Sequence, residues 1–179
     1  MFKKSLMQIV MWYVSLHRNI RSKIATSIIR LKAKKCGVGV GAARIPHIGS
    51  QVTIEIGDYS GFNGFTATGF GSVKIGNHFH SGTNVKIMLG SHDYDNGDKI
   101  PYGSGHTHKE VVIEDFVWLG SDVTISGNVH MGEGASVAIG SVVVKDVPRC
   151  AIVGGNPAKV IKYRDIEHFE KLKAEGKYQ

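Results

Sequence analysis

The sequence predicts a mainly β fold: a solenoid of short, turned strands with a helix at each end. Three observations lead there. Ile113, Leu119, Ile125, Met131, Val137 and Val143 follow one another at a step of six residues. Four places after each stands a small or branched residue, namely Val117, Val123, Val129, Ala135, Ser141 and Val147. Neither a helical period nor the two-residue alternation of a strand holds such a phase, whereas a stack of turned strands does, with one aliphatic side chain per hexad pointing inward. The 23 glycines fall at hexad turns such as Gly120, Gly132, Gly140, Gly154 and Gly155, which fits turning rather than disorder.

The same register runs earlier with interruptions, as Ile48 and Ile54, then Ile56, Phe62 and Thr68, then Ile75, Ser81 and Ile87. Between Ile56 and Ile75 the phase slips by one residue, and between Ile87 and Ile113 by two, across a polar segment. Repeat folds tolerate insertions on one face because each rung touches only its neighbours. Residues 91–110 are therefore expected to form a loop inserted into the solenoid. A rigid wall would hold its base while its tip stays mobile, which makes it the first place to look for function.

Charge divides the chain. Of the formal +7, nine positive charges come from Lys3, Lys4, Arg18, Arg21, Lys23, Arg30, Lys32, Lys34 and Lys35, and no acid precedes Glu55. The remaining 13 basic and 15 acidic residues nearly balance. Residues 1–36 thus read as a basic helical arm, 37–162 as the solenoid domain carrying the inserted loop, and 163–179 as a C-terminal helix and tail. Without a nucleic-acid fold motif or an aromatic stacking platform, the basic arm does not predict nucleic-acid binding. Cys36 and Cys150 are distant and lack metal-ligand spacing; they predict a reducing cytoplasm and two small hydrophobes rather than a disulfide framework.

In the arm, Phe2, Leu6, Ile9, Tyr13, Leu16, Ile20, Ile24, Ile28 and Leu31 recur at steps of three and four, an amphipathic helix pattern. Two readings fit it. The helix covers the first rung or a subunit contact with its basic face in solvent, or it lies peripherally on an anionic membrane surface, with Trp12 and Tyr13 as interfacial residues. The apolar run from Leu6 to Leu16 is too short to span a bilayer, and no small-x-small cleavage site marks a signal peptide. At the other end Asp165 to Glu175 predicts a short helix capped by Asp165 and stopped at Gly176, with Glu167 and Lys171 as an i,i+4 pair. Its Ile166, Phe169 and Leu172 are expected to close the last rung.

The run Val112-Ile113-Glu114-Asp115-Phe116-Val117-Trp118-Leu119-Gly120-Ser121, the closing Lys145-Asp146-Val147-Pro148 and Gly155-Asn156-Pro157-Ala158-Lys159-Val160-Ile161 stand in order along the chain. Together they resemble the hexapeptide-repeat acyltransferases of the left-handed parallel β-helix fold, and more narrowly the maltose, galactoside and polysaccharide O-acetyltransferase branch, over roughly residues 38 to 162. The resemblance implies acetyl-CoA as cosubstrate without a metal, a sugar or glycan acceptor, and a homotrimer with its site between neighbouring subunits. His92 matches the family's catalytic base, and the main-chain N–H of Ser121 its oxyanion donor. Imidazole titrates near neutrality and can take a proton from a sugar hydroxyl and deliver it to a departing thiolate.

For the donor, the resemblance points to Trp118, Ser121, Gly140 and Lys145, with Lys159 and Lys162 near the adenosine phosphates, where their charge suits a polyanion. The pattern departs at Ile139, where the galactoside enzymes carry a small residue, and at Val144, where they carry a hydroxyl. Lysines also replace arginines, losing bidentate phosphate geometry. On the acceptor side Asn63 aligns with a sugar-contacting asparagine, with Asn84 and Asp93 as further candidates, although a turn asparagine fits Asn63 as well. His106 and His108 read as loop residues that touch substrate, and His78, His80 and His130 as turn or rim residues.

Alternatives keep the donor and change the acceptor, to the amino group of a nucleotide amino sugar or to an antibiotic hydroxyl. A zinc carbonic anhydrase shares this solenoid, but its family pattern has two histidines five positions apart, and no two histidines here have that spacing. A non-catalytic scaffold would have no need of His92 beside Trp118-Leu119-Gly120-Ser121.

Overall fold

The computed structural model describes residues 2–90 and 92–179, and their side chains except those of residues 2–6 and 9. Phe2, Leu6 and Ile9 of the predicted stripe lie outside the described side chains, and Ser91 at the mouth of the inserted loop lies outside the described residues.

Helix α1 (Phe2–Lys32) leads into a coil that turns repeatedly through three sheets. The first face holds β1 (Lys35–Cys36), β4 (Val52–Ile56), β7 (Gly71–Ile75), β10 (Lys109–Ile113) and β13 (Val129–Met131). The second holds β2 (Gly41–Ala42), β5 (Gly61–Phe62), β8 (His80–Ser81), β11 (Trp118–Leu119), β14 (Ser136–Val137), β16 (Ala151–Gly154) and β17 (Lys159–Tyr163). The third holds β3 (His47–Ile48), β6 (Phe65–Gly69), β9 (Val85–Leu89), β12 (Thr124–Ser126) and β15 (Val142–Val143). The described ladders are parallel except β16 with β17, which is antiparallel. Helix α2 (Ile166–Ala174) follows.

The hexads form the core as read. Ile113, Leu119, Ile125, Met131, Val137 and Val143 are buried, as are the small or branched residues four places on. In register, Leu119 stacks between Ser81 and Val137, and Ile125 between Ile87 and Val143. Each such side chain contributes about 1.5–3 kcal/mol by leaving water.

Thr68 departs from the expected register. It is half-buried, and Ala67 takes the inward place between Ile48 and Ile87. The step from Phe62 to Ala67 is five residues and that from Ala67 to Ile75 is eight, so a shortening by one and a lengthening by two, around Phe70 between β6 and β7, produce the single net slip. Gly69 makes this possible: its φ is +101°, and a Cβ there would lie 1.4 Å from the Leu89 carbonyl oxygen.

Both helices dock differently from expectation. α1 does cover the first rung, but through buried Ala25 and Ile29, with Ser22 Oγ donating to Ala42 O (2.8 Å), Ala42 N to Thr26 Oγ1 (3.0 Å) and Lys32 Nζ to Ile48 O (2.8 Å). The predicted stripe is not the docked face; Tyr13, Leu16, Ile20, Ile24 and Leu31 are exposed. Polar Ser22 and Thr26 win the contact because the first coil presents unpaired backbone groups that they satisfy. α2 is capped by Asp165, which accepts from His168 N at 2.9 Å, and it ends before Gly176 as predicted. It packs beside the solenoid rather than over its end: Ile166 is exposed, and Phe169 meets Phe116 edge to face at 6.0 Å. Ion pairs from Lys173 to Glu133 and from Glu170 to Arg149 hold it there.

Candidate active site

Successive corners between the second and third faces stack on one another. Gly82-Thr83-Asn84 joins β8 to β9, Gly120-Ser121-Asp122-Val123 joins β11 to β12, and Ala138-Ile139-Gly140-Ser141 joins β14 to β15. Ser121 Oγ accepts from Thr83 N at 3.1 Å and lies 3.3 Å from Thr83 Oγ1, while Ser121 O accepts from Gly140 N at 2.9 Å. Only glycine fits at position 82, since a Cβ there would lie 2.5 Å from the Ser121 amide nitrogen. Asn84, with φ of 56°, donates through Nδ2 to Asp122 Oδ1 at 2.7 Å, so its side chain ties one corner to the next.

On the second face Trp118 projects outward, 54% exposed, between His80 and Ser136 in register. Asn63 Nδ2 donates to Ser81 O at 2.9 Å. Asn63 and Trp118 line one cavity of about 560 Å³ with His80, Phe116, Lys173 and Tyr178. That volume suits a small-molecule site. Sequence reasoning missed the wall supplied by α2 and the ring ladder beside it, in which His78 stacks on Tyr59 at 5.3 Å and on Phe116 at 5.2 Å. All three rings have φ near +55°, at 54°, 53° and 59°. No local motif announces an aromatic residue in that conformation.

His92 and Asp93 stand on the inserted loop, which leaves the third face after β9 and enters the first at β10. The imidazole of His92 stacks on Tyr102 at 3.9 Å and lies 5.4 Å from the His106 ring, with which it shares an antiparallel bridge. His106 in turn stacks on Phe70 at 4.1 Å, and His108 lies 6.1 Å from the same ring. Asp93 closes the loop's own turn, its Oδ1 accepting from Asn96 N at 2.8 Å. The tip is organised rather than bare: Asp98 Oδ1 accepts from Ser104 N at 2.8 Å, and that bond holds its carboxyl below the ordinary value.

Ile139 is 72% and Val144 43% exposed, and Lys145, Lys159 and Lys162 are exposed. Asn63, Asn84, Trp118, Ser121, Ile139 and Gly140 belong to the second face and its corner with the third; β17 extends that face with Lys159 and Lys162. His92, Asp93, Val144 and Lys145 belong to the corner between the third and first faces. Within one chain the width of the third face therefore separates His92 from Asn63 and Trp118.

Burial raises the thiols of Cys36 and Cys150, as expected of small hydrophobes rather than reactive thiolates. Among the described residues no group of three or more His, Cys, Asp or Glu side chains could hold a metal ion.

No family model matches the chain. It is 33% identical over 130 residues to a galactoside O-acetyltransferase of Lactococcus lactis, covering 69% of this chain and 61% of that one. It is 41% identical over 97 residues to serine acetyltransferase 4 of Arabidopsis thaliana, covering 52% and 24%. The chain thus spans less than two thirds of these curated relatives. A hexapeptide-repeat acetyltransferase of Vibrio cholerae, solved with acetyl-coenzyme A, superposes with a TM-score of 0.64 at 28% identity, over 75% of this chain and 73% of that one. With the hexads buried in register and these similarities in sequence and fold, the chain is a homologue of the hexapeptide-repeat acetyltransferases and shares their parallel β-solenoid.

Proposed function

We propose that the chain is an acetyl-CoA-dependent O-acetyltransferase that transfers an acetyl group to a hydroxyl of a sugar or polysaccharide precursor. The observation that carries this reading is the Trp118-Leu119-Gly120-Ser121 corner, stacked in register above Gly82 and below Gly140, in a chain homologous to a galactoside O-acetyltransferase. Residues 37–162 form the catalytic domain. His92 takes the proton of the acceptor hydroxyl as its oxygen bonds to the thioester carbon, and passes that proton to the sulfur as the C–S bond breaks. The Ser121 N–H donates to the oxygen that gains charge in between. No covalent acyl-enzyme is needed.

Trp118, Ile139, Gly140, Val144, Lys145, Lys159 and Lys162 hold the donor, the lysines pairing with its phosphates. Asn63 lies on the acceptor side; Asn84 and Asp93 act there through the turns they brace. The separation of His92 from Asn63 supports a homotrimer, in which one subunit's loop corner meets its neighbour's second face. The two thiols without a disulfide support a cytoplasmic enzyme.

Thermal unfolding across a titration of coenzyme A tests the donor site, because a ligand of the folded state raises apparent stability with the logarithm of its concentration. A saturable rise is expected, unchanged in His92→Ala, whose acetyl transfer falls at least about 100-fold. No shift at about 1 mM coenzyme A would sink the reading. A panel of hydroxyl and amino sugars then separates O- from N-acetylation.

A further inference from the structure

We infer that α1 is a membrane-surface anchor, which lays its undocked half on an anionic lipid surface while its docked half holds the solenoid. Among the described side chains of the helix, those tied to the first coil stand in its C-terminal third: Ser22, Ala25, Thr26, Ile29 and Lys32. At 3.6 residues per turn, Tyr13, Leu16, Ile20 and Ile24 lie roughly opposite Ala25 and Ile29, facing away from the domain. They are 57%, 40%, 47% and 48% exposed. Met7, Val10, Met11 and Val14 continue the docked side beyond the domain and are exposed too. From Met7 to Leu16 the helix is thus apolar nearly all round, interrupted by Gln8 and Ser15 alone.

Charge decides what covers it. Lys3 and Lys4 precede this segment, Arg18, Arg21 and Lys23 follow it, and no acid stands before Glu55. Bundling with α1 of a second copy would gather these cations with nothing on the helix to offset them. It would also bury one stripe and leave the rest of an apolar circumference in water. An anionic interface satisfies both features: headgroups meet the flanking cations, and the acyl boundary takes apolar side chains from several directions, with Trp12 and Tyr13 at the polar level. The segment does not cross; no described helix is long and apolar enough to span a membrane. Lipid contact brings the solenoid to acceptors carried on lipid, and it is independent of the acetyl-transfer chemistry.

Flotation of the full chain with vesicles tests the anchor. Vesicles of phosphatidylcholine with roughly a third phosphatidylglycerol should bind at least about tenfold more tightly than phosphatidylcholine alone, and the difference should shrink as salt rises. Trp12→Glu combined with Leu16→Glu should remove about tenfold or more of that binding. The unfolding midpoint should stay unchanged, because these side chains lie outside the docked contact. Absence of binding to the anionic vesicles by the folded chain overturns the anchor. So does a double variant that changes oligomeric state while vesicle binding persists, which would assign the stripe to a second copy.

Discussion

The imidazole of His92 lies flat against the phenol ring of Tyr102, with centroids 3.9 Å apart and planes inclined by 21°. Stacking of this kind limits the rotamers of a side chain that is otherwise exposed on a loop. Tyr102→Leu should therefore lower kcat about tenfold, a fraction of what a lost general base costs, with KM for acetyl-CoA unchanged. Proton NMR provides the structural check: the ring-current shift of the His92 imidazole protons should vanish in the variant. A kcat equal to wild type would show that Tyr102 does not position the proposed base.

Phe70 lies between β6 and β7, where the repeat lengthens by two residues, and it carries His106 on its ring at 4.1 Å. Its own backbone is pinned, with Phe70 N donating to Leu89 O at 2.6 Å and Phe70 O accepting from Lys109 N at 3.1 Å. The irregularity in the repeat thus provides a fixed shelf for the far strand of the loop. Phe70→Ala should cost only about 1 kcal/mol of global stability, the scale of one aromatic pair. Limited proteolysis should cut within residues 92–108 faster, and Phe70→Tyr should restore resistance.

The Glu133 carboxylate joins α2 to the solenoid, accepting from Arg149 Nη2 at 2.9 Å and from Lys173. Burial would raise this carboxyl, but the two cations outweigh burial and hold it below the ordinary value. A group depressed in the folded state stabilises above its unfolded pKa and loses that contribution as pH falls through the folded value. Docking of α2 should therefore weaken on acidification below about pH 4.3, the ordinary glutamate pKa. Glu133→Gln should lose about 1.5 kcal/mol at neutral pH, the scale of a charged hydrogen bond, and flatten the acid limb of a thermal-stability profile. An unchanged acid limb would place the pH dependence elsewhere.

Leu119 and Ile139 separate stability from binding. Leu119 is fully buried between Ser81 and Val137, so Leu119→Ala should cost about 2–5 kcal/mol in a denaturant titration. Ile139, 72% exposed one rung above Ser121, should cost under about 0.5 kcal/mol as Ile139→Ala. If it borders the donor, the same variant should weaken coenzyme A binding measured by calorimetry.

The hexad determined the solenoid by itself, because an aliphatic side chain recurring every six residues can be buried only by stacking rung on rung. Position alone also marked the inserted loop, since the register breaks around it, and the resemblance supplied candidate roles for His92, Trp118 and Ser121. Tertiary structure decided the rest. An amphipathic stripe states which side of α1 is apolar but not what faces it, so the choice of Ser22, Ala25, Thr26 and Ile29 as the docked face followed from hydrogen bonds with the first coil. The place of α2 depended on Glu133, Arg149 and Lys173, which are far apart in sequence and meet only after the last coils form. The shelf at Phe70 and the separation of His92 from Asn63 arise from where corners fall on a three-faced coil, a geometry that spacing along the chain does not contain.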